Sequence, residues 1–429
     1  MKTTVVCIAL ELFFVLPVRS QNITNKLGAG GVFTIKDATN PFFTLRQADG
    51  RVGIGTTTPT NLLQVAGLID FDNARNSTAL GFEALPSSDP DAWDNTAVGY
   101  SALRNTTSGL GNTAAGHYSL GYNVTGSQNT AFGNGAIEFG TAGDFNTAIG
   151  SGALTVITGS NNTGVGFEAL NVTTSAQYNV AVGFKAGASF VNGYNNVFLG
   201  ANTDVSQNDM FNVLAVGEGT IVTASSTARF GNSSTGSYGG WANWTNVSDA
   251  RFKKNVRENV PGLEFISKLR PVTYNFDATG MEAFLHKNDL NEKRATRSLA
   301  AKMVHEQALH EKERITQTGF VAQEVEVAAR ELGYDFSGVD APKNQNDYYG
   351  LRYAEFVVPL VKAVQELKSE NDKLKSANEK LLASQASLAT ENSDVKERLA
   401  NLEHLQELLA AQLARLQGQE TSAASLAGN

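Results

Sequence analysis

Apolar and polar positions along this chain follow two regular rhythms separated by an irregular stretch. Between residues 77 and 204 a five-residue unit keeps returning. It reads STALG at Ser77, NTAVG at Asn95, NTAAG at Asn112, NTAFG at Asn129, NTAIG at Asn146, NTGVG at Asn162, NVAVG at Asn179 and NVFLG at Asn196. The starts are separated by 18, 17, 17, 17, 16, 17 and 17 residues, and glycine closes every unit. A period this strict marks a repeat architecture. Seventeen residues suffice for about two strands of five with two turns, one coil of a parallel β-roll or solenoid. Alternation then sets Leu80, Val98, Phe132, Ile149, Val165, Val182 and Leu199 on one face with Thr96, Thr113, Thr130 and Thr147. The other face carries Asn, Ala and Gly, small enough to invite close approach by another backbone. One coil cannot bury enough apolar surface alone, whereas a stack spaced at roughly 4.8 Å makes a rod of about 40 Å.

The second rhythm is heptad. Leu360, Leu367, Leu374, Leu381, Leu388, Val395, Leu402, Leu409 and Leu416 form one seam, and Val364, Asn371, Asn378, Gln385, Asn392, Leu399, Gln406 and Leu413 the other. Such a pattern predicts a parallel coiled coil over 360–417, followed by a disordered tail, 418–429. Polar residues in a core seam sacrifice stability for register; Asn opposite Leu favours two strands, while the repeats argue for three. Three is the expectation, because a roll has to match the symmetry of its stalk.

At the start, MKTTVVCIALELFFVLPVRSQ places an apolar run after Lys2, with Val18 and Ser20 spaced for signal-peptidase cleavage before Gln21. A signal peptide over 1–20 and a secreted or cell-surface protein are expected, although Glu11 interrupts the run. Cys7 is the only cysteine, so the mature chain has no thiol. No later run is long enough to span a membrane. Residues 21–76 form an N-terminal β segment with VGIGTTTP at Val52, and 205–247 a β neck. Charged residues make up 18 % of the chain and the net charge is −8, which excludes nucleic acid as a natural partner. The sequons at Asn105, Asn123, Asn171, Asn243 and Asn246 follow from a composition rich in Asn and Thr.

Candidate chemistry concentrates in NVSDARFKKNV, residues 246–256, where a nearly uncharged chain becomes densely charged. A serine hydroxyl is a poor nucleophile until a base takes its proton, and lysine serves only when burial or a nearby cation lowers its pKa. Asp249 suits a helix cap better than proton transfer. His286, His305 and His310 lie in a charged stretch where a metal site would need a further ligand and a dry pocket, so no metal and no cofactor is expected. Glu138, Asp144 and Glu168 are the nearest carboxylates for an acid–base pair in the roll and lie on separate coils.

The NTAxG copies resemble the head repeats of YadA-like trimeric adhesins and of related tail-fibre proteins, which implies a left-handed parallel β-roll shared by three chains. The ordered set SDARFKKNV at Ser248, LRPVTYNF at Leu269, TGFVAQEVE at Thr318 and YYGLRYAEFVVPLVKAVQEL from Tyr348 resembles the C-terminal intramolecular chaperone of phage endosialidase tail spikes. That self-cleaving peptidase family also occurs in the myelin regulatory factor. Its Ser-Asp-x-x-x-Lys start falls on Ser248, Asp249 and Lys253, and GFVAQEV (319–325) matches its central helix. Lys254 lies one residue off the family spacing. The resemblance implies a small α+β chaperone domain over 248–359, with an insertion at 278–316. It further implies Ser248 as nucleophile, Lys253 as base, and cleavage between Val247 and Ser248. Cleavage would remove the template and trap the rod kinetically.

The expected whole is an exported homotrimeric fibre or adhesin-like protein, with itself as partner and a cell-surface glycan or protein as target. A polysaccharide-acting tail-spike enzyme carrying the same chaperone is the alternative.

Overall fold

The computed structural model describes residues 31–36, 38–39, 41–59, 61–72, 75–86, 91–287 and 299–426. The expected signal segment, with Cys7, lies outside them. Among the described residues no helix is long and apolar enough to cross a membrane. The chain divides into two units. One joins residues up to Gly240 with Asn275–Thr316 and Pro342–Tyr348, and the other comprises Trp241–Tyr274, Gln317–Ala341 and Tyr349–Asn429.

The first unit is a β-roll. Strands Val32–Lys36, Pro41–Arg46, Val52–Ile54, Leu63–Val65 and Ile69–Asp72 lead into a parallel ladder that starts at Ser77–Leu80. It then climbs one coil at a time through Thr96–Val98, Thr113–Ala115, Thr130–Phe132, Thr147–Ile149, Thr163–Val165, Val180–Val182 and Val197–Leu199. Register is preserved at each step: Thr96 pairs Thr113, Ala97 pairs Ala114 and Val98 pairs Ala115. The ladder runs on through Leu214–Val216 and Ala228–Phe230, residues read from the sequence as neck.

Each coil of the repeat is built otherwise than two strands of five. It contributes one three-residue strand to the main sheet and is otherwise mostly turn, because several non-glycine residues per coil adopt left-handed backbone. Ser101, Leu103 and Gln128, for example, have φ of 54°, 51° and 55°. A left-handed residue cannot continue a strand. Stacking compensates locally, since the Leu103 N–H donates to the Ser119 carbonyl at 3.0 Å and the Leu120 N–H to that of Ala136 at 2.9 Å.

The close backbone approach that the small face invites is made within the chain. Asn, Ala and Gly do not present a surface to another chain; they form the inside of each coil. Asn95, Asn112, Asn146 and Asn162 are 0 % exposed, as are Ala97, Ala114 and Ala131. The backbone that approaches the glycine is the next coil of the same chain. A Cβ on Gly99, whose φ is +132°, would stand 2.5 Å from the Gly116 carbonyl oxygen. The fourth position therefore faces out, leaving Leu80, Val98, Phe132, Ile149, Val182 and Leu199 as an exposed apolar ladder.

The asparagines that open the repeat units are hydrogen-bonded through both amide atoms. Asn112 Nδ2 donates to the Gly126 carbonyl at 2.9 Å and to Asn95 Oδ1 at 3.1 Å, and Asn95 Oδ1 also accepts the Asn112 N–H at 2.9 Å. The pattern recurs with coil-to-coil variations as far as Asn196, whose Oδ1 accepts the Val213 N–H at 3.0 Å. A buried amide is tolerated only when its partners are present, so one asparagine per coil both fills the interior and sets register.

Two helices belong to this unit: α1 (Ala278–His286) and α2 (Leu299–Glu313), the former capped by Asp277, which accepts the Gly280 N–H at 2.7 Å. The second unit packs Phe265, Val325, Ala328, Ala329, Phe336 and Phe356 into a small core, with the Phe265 and Phe336 rings edge to face at 5.0 Å. Its central helix, α3, spans Ala322–Glu331 and starts later than expected. Gly319 ends the strand Thr316–Gly319, where a Cβ would collide with the Tyr353 hydroxyl. The last helix, α4, runs unbroken over Val357–Leu426. It continues through Gln419, Glu420, Ala423 and Ala424, good helix formers, into the stretch expected as disordered tail. Its leucine seam is exposed throughout, with Leu374 at 70 % and Leu381 at 67 %.

Replacing Asn129 by alanine leaves the Asn146 N–H and the Gly143 carbonyl without the partners they have at 2.9 and 2.8 Å. Chemical denaturation of Asn129→Ala should show a loss of about 2–6 kcal/mol, at about 1–3 kcal/mol per orphaned buried group. The half-buried neighbour change Thr130→Ala should cost under about 1 kcal/mol.

Candidate active site

One short turn organises the residues around Ser248. Asp249 has extended backbone and stands at the N-cap of a 3-10 helix, Ala250–Phe252; its Oδ1 accepts the Arg251 N–H at 2.8 Å. The Arg251 guanidinium folds back on the same carboxylate, with Nε at 3.1 Å from Oδ1 and 3.0 Å from Oδ2. These bonds hold the Asp249 carboxyl below its ordinary pKa, the Arg251 side chain contributing most. Three residues of 3-10 helix are the length that carries the chain once around. Lys253, at the C-cap, thereby returns beneath Ser248, and its Nζ donates to Ser248 Oγ at 2.8 Å. The physical content of Ser-Asp-x-x-x-Lys is thus a cap, one turn and a pair of side chains brought within bonding distance.

That pair stands in the open. Ser248 and Lys253 are both exposed, and so are the apolar side chains beside them: Val247 at 87 %, Phe252 at 72 % and Val256 at 78 %. In the bond as it stands the amine is the donor. For proton abstraction the direction has to reverse, which requires a neutral amine and therefore the removal of water. Such a site has the reach for serine chemistry and lacks its cover.

The other sequence candidates serve the scaffold. Glu168 pairs with Lys185 of the next coil at 3.2 Å, and Asp144 Oδ1 accepts the Ser127 N–H at 2.7 Å, so both carboxylates bind neighbouring coils. His286 and His305 converge on Glu282, their Nε2 atoms 3.4 and 3.1 Å from its Oε1. His310 instead faces Glu313 at 3.2 Å. No group of three potential metal ligands is assembled among the described residues. Ser233, from the end of the roll, donates to Glu282 Oε2. Burial by itself would push the Glu282 carboxyl up, but the bonds from His286, Ser233 and His305 and the charge of His286 outweigh it and bring the carboxyl down to about 2.

Sequence reading missed this Glu282 cluster and the Arg251 clamp. The clamp was legible in principle, since an arginine two residues after a capping aspartate can fold back on it. The cluster joins residues 49 apart, Ser233 and Glu282, and leaves no local signal.

With the geometry described, the comparison with known families can be placed beside it. Residues 248–334 match the model of the peptidase family described as chaperone of endosialidase, and the match opens on Ser248 itself. The matched stretch follows the β-solenoid repeats and precedes the long C-terminal helix. No curated protein and no solved structure matches the chain.

A pH dependence follows from Glu282. Because the folded carboxyl titrates near 2 and an unfolded one near 4.5, the stability it supplies is complete above pH 4.5 and is lost as pH falls towards 2. Hydrogen exchange of the α1 and α2 amides should accelerate across that window. Glu282→Gln, which cannot titrate, should flatten this component of the pH profile and exchange faster at pH 7.

Proposed function

We propose that this chain is an exported, homotrimeric fibre or adhesin-like structural protein. Its C-terminal domain promotes assembly and then cuts the chain once between Val247 and Ser248. The observation that carries the reading is the 2.8 Å approach of Lys253 Nζ to Ser248 Oγ where the chaperone-of-endosialidase match begins.

The chemistry balances within one chain. Lys253, once neutral, accepts the Ser248 hydroxyl proton while Oγ attacks the Val247 carbonyl carbon. The tetrahedral intermediate collapses, the C–N bond breaks, and the proton on Lys253 passes to the departing α-amine of Ser248. Val247 is then an ester on Ser248 Oγ. Water, giving a proton to the amine of Lys253, attacks that ester and leaves a Val247 carboxylate and a restored serine at a new N-terminus.

Assembly supports the required desolvation. Val247, Phe252 and Val256 surround the dyad and are exposed in the single chain, as are Trp241 at 108 % and Trp244 at 92 %. The leucines of α4 and the outward apolar ladder of the roll stand unpartnered in the same way, and a solitary 70-residue helix with a continuous apolar seam is unstable in water. Three copies of the chain would cover these surfaces together, so cutting would await correct assembly. The alternative of a polysaccharide-acting enzyme loses support from the scaffold roles of Asp144 and Glu168.

Expression of residues 21–429 should yield two bands on denaturing gels, residues 21–247 at about 24 kDa and 248–429 at about 19 kDa, from 45.6 kDa over 429 residues. Ser248→Ala and Lys253→Ala should give one full-length band. A single band in all three proteins would reduce the domain to an uncleaved chaperone.

Sedimentation of the uncut Ser248→Ala chain should report three copies. Leu374→Asp with Leu381→Asp should lower that mass and, in the otherwise wild-type chain, slow cleavage at least tenfold, a penalty of more than about 1.4 kcal/mol. A monomeric parent protein would overturn the homotrimer.

A further inference from the structure

The interior column of the roll ends abnormally. Along the ladder the third strand position is Ala79, Ala97, Ala114, Ala131, Ala148, Gly164, Ala181, Phe198 and Ala215, each in register with the next. In the last coil it is Arg229, paired with Ala215. A guanidinium at the foot of an apolar column requires a counter-charge, and none of the repeat residues supplies one. The counter-charge comes from beyond the scissile bond. Asp347, whose side chain is only 6 % exposed, lies 3.5 Å from Arg229 Nη2 and accepts the hydroxyl of fully buried Thr223 at 2.6 Å. The ring of Tyr348 covers the guanidinium at 4.4 Å. Asn344 Nδ2 donates to the Thr223 carbonyl at 2.8 Å, closing a backbone group of the final coil.

The insertion makes a second attachment to the same end. Ser233, itself 6 % exposed, donates to Glu282 of α1, which His286 and His305 hold in place. Lys312 of α2 donates to the Thr235 carbonyl at 2.9 Å. A solenoid end is an unpaired edge that propagates or aggregates unless it is covered. These two segments attach to residues of that last coil and of the stretch just after it through paired charges and bonded backbone carbonyls.

We propose that residues 275–287, 299–316 and 342–348 form the terminal cap of the β-roll and that this cap remains seated after the chain is cut. The two products would then stay one particle, with the C-terminal fragment as a permanent lid. This rests on the cleavage reading above and changes its consequence: scission ends covalent continuity without removing the part of the template that closes the rod. Departure of the cap would break the Arg229–Asp347 pair, the Thr223–Asp347 bond and the Ser233–Glu282 bond together, and the loss of these contacts opposes it.

The test is co-elution. The self-cut 21–429 protein, run on size exclusion at neutral pH, should carry both fragments in one peak. Glu282→Ala combined with Asp347→Ala should release free C-terminal fragment, weakening the association on the order of a hundredfold. Separation of the wild-type fragments, or co-elution unchanged in the double variant, would overturn the proposal. If the chain does not cut itself, a site-specific protease sequence replacing the exposed residues 242–246 severs it in the same region, and the same two outcomes decide. Asp347→Asn, which keeps the shape and removes the charge, guards against a folding defect: its uncut chain should match the parent by circular dichroism, and its cut fragments should separate more readily than wild type.

Discussion

The narrow interior of the coil governs the rest of this molecule. On the main strand of most coils the inward positions are asparagine and alanine or glycine, with Phe198 the exception, and the asparagine bonds both its own coil and its neighbours. The turns bring Leu103, Leu120, Leu154 and Leu170 into the same interior. The exposed ladder of Val98, Phe132, Ile149 and Val182 alternates along the strands with the buried ladder of Ala97, Ala131, Ala148 and Ala181.

The same regularity makes the roll hard to assemble. A slip by one coil replaces NTAFG with NTAIG and preserves nearly every asparagine bond, so mispaired stacks lie close in energy to the native one. Repeats with such degeneracy misfold through the interactions that fold them. A domain that grips one coil only resolves the ambiguity. Arg229 occurs where every earlier coil has a small or apolar residue, and Asp347 reads that difference.

Catalytic geometry and catalytic environment are separated in the single chain. The Asp249 cap and one 3-10 turn suffice to bring Lys253 to Ser248, which makes the dyad a local property of six residues. Its cover is not local. Val247, Phe252 and Val256 stand exposed next to a bond in which the amine is the donor.

Period, glycine spacing, the heptad seam and the Ser248–Lys253 spacing were legible in the sequence because each depends on residues within a single turn, coil or heptad. The strand within each coil was overestimated, since left-handed leucines such as Leu103 and Leu120 carry no signature of their own. Alternation is symmetric: it separates two faces and does not say which one the chain curls around. Only the closed coil decides that, by packing Asn95 and Ala97 against leucines such as Leu103 and Leu120 from its own turns. The placement of residues 342–348 with the roll rests on polar contacts such as Thr223 to Asp347, 124 residues apart, and no periodic pattern encodes a single side-chain hydrogen bond at such a distance.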